Sequence, residues 1–89
     1  MNAQRRKALR VILTKLEELN SLRQEIQERL DEVTGEEQEA LDNMPESLQE
    51  SERGQQMQEY IDTMESLQYD LDNIDADSMM DQIREIVEV

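Results

Sequence analysis

Carboxylates dominate the reactive side chains of this chain. Of its 89 residues, 23 are Asp or Glu and nine are Lys or Arg, with no histidine and no cysteine. Two stretches space the acids in ways that could do metal chemistry. In "EEQE", Glu36 and Glu39 stand three apart, and after nineteen residues "EYID" repeats the interval with Glu59 and Asp62. On facing helices, four such carboxylates could gather a magnesium ion and, through it, a phosphate. The segment "DLDNIDADSMMD" invites calcium, but an EF-hand loop needs an oxygen ligand at its fifth position and glycine at its sixth. Counted from Asp70 these are Ile74 and Asp75; counted from Asp75, the fifth is Met79. The calcium reading fails. The missing Cys and His exclude disulfides, thiolate zinc sites, Cys or His nucleophiles and histidine acid–base catalysis.

The Glu36, Glu39, Glu59, Asp62 spacing resembles the ExxE…ExxD magnesium motif of all-α nucleotide pyrophosphatases. The resemblance implies a magnesium-dependent nucleotide hydrolase as a remote alternative. In a chain this acidic such a match arises easily by chance. The four acids also fall largely on expected outward positions, and no Lys or Arg stands nearby to hold a phosphate. The expectation is a non-enzymatic protein with no cofactor and no bound metal.

The elements that must carry these acids are helices. Apolar and charged residues each make up 36% of the chain, and Tyr60 and Tyr69 are its only aromatics. Such a composition suits narrow helix–helix seams better than a sheet core. From Leu9 a heptad runs with a at 9, 16, 23, 30, 37 and 44 and d at 12, 19, 26, 33 and 40, apolar at nine of eleven sites. Arg23 and Glu37 are the exceptions, and the a/d columns are the expected seam. A second seam reads Met57, Tyr60, Met64, Leu67, Leu71, Ile74, and a short third helix is marked by Met79, Met80, Ile83, Ile86 and Val87.

"DNMPESLQESERGQQM", residues 42–57, interrupts this periodicity. Pro45 inside a helix would cost about 3 kcal/mol, so the first helix is expected to end near Asn43. Gly35 is then carried within it at about 1 kcal/mol. Ser47 or Ser51 can restart the helix, and Ser78 is the expected cap of the last one. The fold expected is all-α: a helix over about 3–43, a hinge over about 44–51, and helices over about 52–74 and 78–88, within a single domain. The long helix folds back on the two shorter ones as a coiled-coil-like hairpin. Its start, "ALRVIL", is apolar around most of the circumference, more than one partner helix can cover. Self-association through Leu9, Val11, Ile12, Leu13, Leu16, Leu19 and Leu22 is therefore expected, with a homodimeric bundle as the result.

Charge is segregated along the chain. Residues 1–16 carry Arg5, Arg6, Lys7, Arg10 and Lys15 and no acid, whereas residues 31–81 carry 17 acids and one base, Arg53. Cations at a helix N-terminus oppose the helix dipole, so a partner is expected for them, the acids Asp81, Glu85 and Glu88 of the folded-back last helix. Outward positions of the first helix carry Glu17, Glu18, Glu25, Glu28, Asp31, Glu32, Glu39 and Asp42; those of the second carry Glu59, Asp62, Glu65 and Asp72. Carboxylates three or four residues apart form a ridge with a charge about every 5 Å, which approximates the charge density of a phosphate backbone though not its geometry. Tyr69, outward among acids, is either a single exposed aromatic or an interface anchor.

"MNAQRRKAL", "DNMPESLQESERGQQMQ" and the acidic helical tail resemble small acidic helical proteins of bacteriophages and Gram-positive mobile elements. That resemblance implies an accessory factor that binds and blocks a host protein, including nucleic-acid-cutting defence enzymes. The function expected is therefore a protein-binding inhibitor that presents an acidic helical surface to a basic host surface, with nucleic-acid mimicry as one form of it. Its contact candidates are Glu25, Glu28, Asp31, Glu32, Glu59, Asp62, Glu65 and Tyr69. The alternative is a structural or adaptor coiled coil that acts through self-assembly. Direct nucleic-acid binding is not expected. No apolar run approaches the roughly 20 residues that span a bilayer, and no apolar stretch follows the basic start as in a secretory signal. A cytoplasmic location is expected.

Overall fold

The computed structural model describes residues 1–88, and the only regular elements among them are helices: α1 (Ala3–Asp42), α2 (Glu46–Gln49), α3 (Glu52–Asp72) and α4 (Ala76–Val87). The fold is all-α, a long helix with shorter helices folded back along it. Asn2 opens α1, its Oδ1 accepting from the Arg5 N–H at 2.9 Å and satisfying one of the free donors of the first turn. Gly35 does not interrupt α1, and a Cβ built there would meet nothing within 4 Å.

Pro45 lies just beyond the end of α1, where its missing N–H costs nothing. Its carbonyl accepts from Leu48 N–H at 2.8 Å and Gln49 N–H at 3.1 Å, closing the single turn of α2 inside the expected hinge. The Gln49 side chain donates to Met44 O at 2.9 Å. Of the two possible restarts the chain uses Ser51, whose Oγ accepts from Gly54 N–H at 3.3 Å and donates to Leu48 O. Gly54 is buried, and a Cβ there would lie 2.2 Å from the Gln49 carbonyl oxygen. The interruption is thus a pinned corner, with the end of α2 pressed on the first turn of α3.

The last helix starts two residues before its expected first residue. Its cap is Asp75, which accepts from Ser78 N–H at 3.0 Å. Ser78 is the donor of that bond and not the cap. Asp75 can cap as well as Ser, and capping there brings Ala76 into the helix, where it is buried.

The described residues form two compact units. One comprises residues 26–73 and the other joins residues 1–25 to the segment from 74 onward. In the 26–73 unit α3 runs antiparallel to the second half of α1. Gln68 Nε2 donates to Gln27 O at 3.0 Å, and Gln27 Nε2 donates to the Asp72 carboxylate. Leu41 and Ile61 are its buried apolar side chains, Ile61 at 1% exposure. In the other unit α4 lies against the first part of α1, with Arg10 Nη2 donating to Val87 O at 3.2 Å. Ala76, Met80 and Val87 are buried there.

The covered face of α1 differs from the expected a/d seam. Its covered or half-covered residues include Leu9, Leu13, Leu16, Asn20, Arg23, Gln27, Leu30, Thr34, Glu37, Leu41 and Met44, which are columns a and e. Column d (Ile12, Leu19, Ile26, Val33, Ala40) is exposed throughout. The same rotation recurs on α3, where Ile61 and Gln68 are covered while Tyr60 and Leu67 are exposed, and on α4, where Met79 and Ile86 are exposed. The apolar stripe is wider than one neighbouring helix can cover. The polar members of column e are satisfied where they lie: Gln27 bonds across to α3, Asn20 Oδ1 accepts from Arg23 Nη2 at 2.9 Å, and Thr34 Oγ1 donates to Leu30 O at 2.7 Å.

Candidate functional site

A surface groove of about 320 Å³ runs between α1 and α3 within the 26–73 unit, lined by Asp31, Thr34, Glu65, Gln68, Tyr69 and Asp72. Helical spacing explains the set. Asp31 and Thr34 are one turn apart on α1; on α3 Gln68 and Tyr69 each lie one turn from both Glu65 and Asp72. The antiparallel pairing sets the two rows edge to edge, and Gln27 fixes Asp72 from below by donating to it. Tyr69 is 68% exposed at the rim. Three carboxylates and one phenol ring therefore meet solvent along one strip. Among the described residues no three Asp or Glu side chains converge closely enough to hold a metal ion.

Of the eight expected contact residues, the structure brings Asp31, Glu65 and Tyr69 into this groove. Asp62 lies on a separate shallow strip of α3 with Thr63, Ser66, Leu67 and Asp70, and Glu59 lines another with Glu52, Arg53, Gln55 and Gln56. Glu25, Glu28 and Glu32 are exposed on α1 and line none of these. Glu36, Glu39, Glu59 and Asp62, the magnesium-motif residues, are all exposed. A larger groove of about 670 Å³ at the corner is lined by Gln38, Leu41, Asp42, Gln49, Glu50, Gly54, Gln55 and Gln58. It adds four glutamines to the acids Asp42 and Glu50.

Thr34, Gln68, Asp72 and the bracing Gln27 were not among the expected contact residues, although Asp72 was expected to face outward. For Gln27 and Thr34 the signal in the sequence is a row of polar residues, Asn20, Gln27 and Thr34, spaced by seven next to an apolar column.

The basic start of α1 meets α4 differently from expectation. Arg10 reaches the carbonyl of Val87 at the end of α4, where the helix dipole is negative. Lys15 pairs with Glu18 at 3.4 Å on its own helix, and Asp81 pairs with Arg84 at 3.1 Å. Of the seven expected self-association residues, Leu9, Leu13 and Leu16 are half-covered within their own unit, whereas Val11, Ile12, Leu19 and Leu22 are exposed. No helix among the described residues is long and apolar enough to cross a membrane. No protein-family model, curated protein or solved structure matches the chain.

Proposed function

We propose that the chain is a non-enzymatic binding protein whose 26–73 unit engages a basic surface of another protein and occludes it. The observation that supports this reading is the strip of Asp31, Glu65 and Asp72 with Tyr69 exposed among them. Carboxylates fixed on helices accept charge-assisted hydrogen bonds from Arg and Lys, and the Tyr69 ring offers a face to a guanidinium. The remaining exposed acids steer a basic partner toward the strip and discourage acidic ones. A partner with a nucleic-acid groove fits this chemistry, because such a groove is lined with the same cations; blocking a host nucleic-acid-acting enzyme is the form of inhibition that follows.

The test is capture from a host lysate by the tagged full chain, at about 0.05 M and about 0.5 M salt, between which screening shortens severalfold. The wild type is expected to retain a basic protein at low salt only, and Asp31→Asn/Glu65→Gln/Asp72→Asn to lose it. A partner held equally by both proteins at high salt would contradict the proposal and favour an adaptor acting through apolar contacts.

A further inference from the structure

The 26–73 unit leaves one side of its helix pair open, and the chemistry of that side selects an occupant. We infer that it docks an amphipathic helix of another protein, one whose Leu- or Ile-rich stripe is flanked by Lys and Arg. The site lies apart from the acidic strip, and the inference does not depend on the strip's function.

The geometry follows from the columns within the unit. Two antiparallel helices that both cover columns a and e carry their d columns on one side of the pair and their b columns on the other. Ile26 and Val33 of α1 therefore share a side with Tyr60 and Leu67 of α3, and each of the four is between 47% and 53% exposed. Between these two rows lie half-covered residues of column a, Leu30 on α1 and Met57, Met64 and Leu71 on α3. The result is an apolar trough with the d columns as its walls. Asp31, Glu65, Tyr69 and Asp72 belong to columns b and f, so the acidic strip lies on the opposite side of the same pair.

Such a trough fits a helix, which fills it with apolar residues at i, i+3, i+4 and i+7. The flexible thioethers of Met57 and Met64 adapt to the incoming side chains. From Ile26 to Ala40 the α1 wall is about 21 Å long, room for about four turns. The unit also has apolar burial to gain. Among its 48 residues, 26 to 73, only Leu41 and Ile61 are buried apolar side chains, and small cores are commonly completed by association.

Charge selects the kind of helix. Columns g and c, next to the walls, carry Glu32, Glu36 and Glu39 on α1 and Glu59 and Asp70 on α3, all exposed, against one base, Arg29. Lys and Arg beside the stripe of the docked helix meet these carboxylates, whereas acids there meet like charge. The same balance disfavours a second copy of this unit, which would set 15 acids and two bases against the same number of each.

The probe is a helical peptide of about 18 residues, five turns, with a Leu stripe and Lys flanks, titrated into the full chain at about 0.15 M salt. One control peptide keeps the composition and scrambles the stripe; another keeps the stripe and replaces Lys with Glu. The first peptide is expected to bind, and each control to bind about tenfold more weakly or worse. Val33→Ser/Leu67→Ser is expected to weaken the first peptide by about tenfold, and Asp31→Asn/Glu65→Gln/Asp72→Asn by less than about threefold. Circular dichroism confirms that the helices are kept; if the double variant loses helix, Leu67→Ser alone is expected to weaken binding by about threefold. No binding by the first peptide would overturn the inference, as would equal binding by either control or by Val33→Ser/Leu67→Ser. So would a wild-type mass of two chains that Val33→Ser/Leu67→Ser returns to 10.5 kDa, because a second copy would then be what covers the trough.

Discussion

The two units solve the same packing problem with different charge. In the 26–73 unit 15 acids stand against two bases, a balance of −13; in the other, eight acids stand against seven bases, a balance of −1. Yet both cover columns a and e and leave column d open. A shared burial pattern across such different charge shows that the helix pairing rests on apolar contacts and a few cross-bonds such as Gln68 to Gln27. The other unit packs in the same way without the acid excess of the 26–73 unit. Like charges on neighbouring surfaces in fact weaken the compact state, and the unit carries them nonetheless.

That comparison can be broken by mutation. The largest effect is expected at Ile61, buried to 1% in the acidic unit: Ile61→Ala should cost about 2–5 kcal/mol. Urea denaturation followed by circular dichroism measures it, and Met80→Ala in the other unit should cost a similar amount if both rest on apolar burial. A loss well under 1 kcal/mol at either site would break the equivalence. Gly54→Ala comes next, at about 1–3 kcal/mol, because the corner backbone leaves no room for the added carbon. Cap removal should be milder. Ser51→Ala and Asp75→Ala, one at the start of each returning helix, are each expected to cost about 1 kcal/mol. Gly35→Ala is the smallest and has the opposite sign, with a gain of up to about 1 kcal/mol, since the new methyl meets open space. The contrast between the two glycines in one denaturation series sharpens the assignment of Gly54 to close approach.

Local chemistry made much of this fold legible. Pro45 cannot lie within a helix, Ser51 can cap one, and a tolerated Gly35 let the a and d columns run on to Met44; each judgement needs only a few neighbouring residues. Matters decided across the chain were not legible. Column e lies inward, where Gln27 meets Gln68, 41 residues away, and no periodicity reports that pairing. That Gly54, expected within the helix over about 52–74, would be a point of close approach was not legible, because the backbone it meets is that of Gln49 and Leu48 in the preceding turn. Ser78 was expected to cap the last helix, but Asp75 also has a capping side chain and takes that place, with Ala76 buried just inside the helix. At the candidate site the acids and Tyr69 were visible as outward residues, but the sequence could not say that Asp31, Glu65, Tyr69 and Asp72 share one strip while Glu28 and Glu32 stand apart from it.

The proposed function requires binding to be concentrated on this strip and not spread over the whole acidic surface. A titration of the isotope-labelled full chain with an arginine-rich peptide, followed through its amide resonances, tests it directly. The largest shifts are expected to cluster at residues 31, 34, 65, 68, 69 and 72 and to vanish in Asp31→Asn/Glu65→Gln/Asp72→Asn. Shifts of equal size at Glu18, Glu39 and Glu52, unchanged in that variant, would mean that the peptide reads net charge alone, and would contradict it.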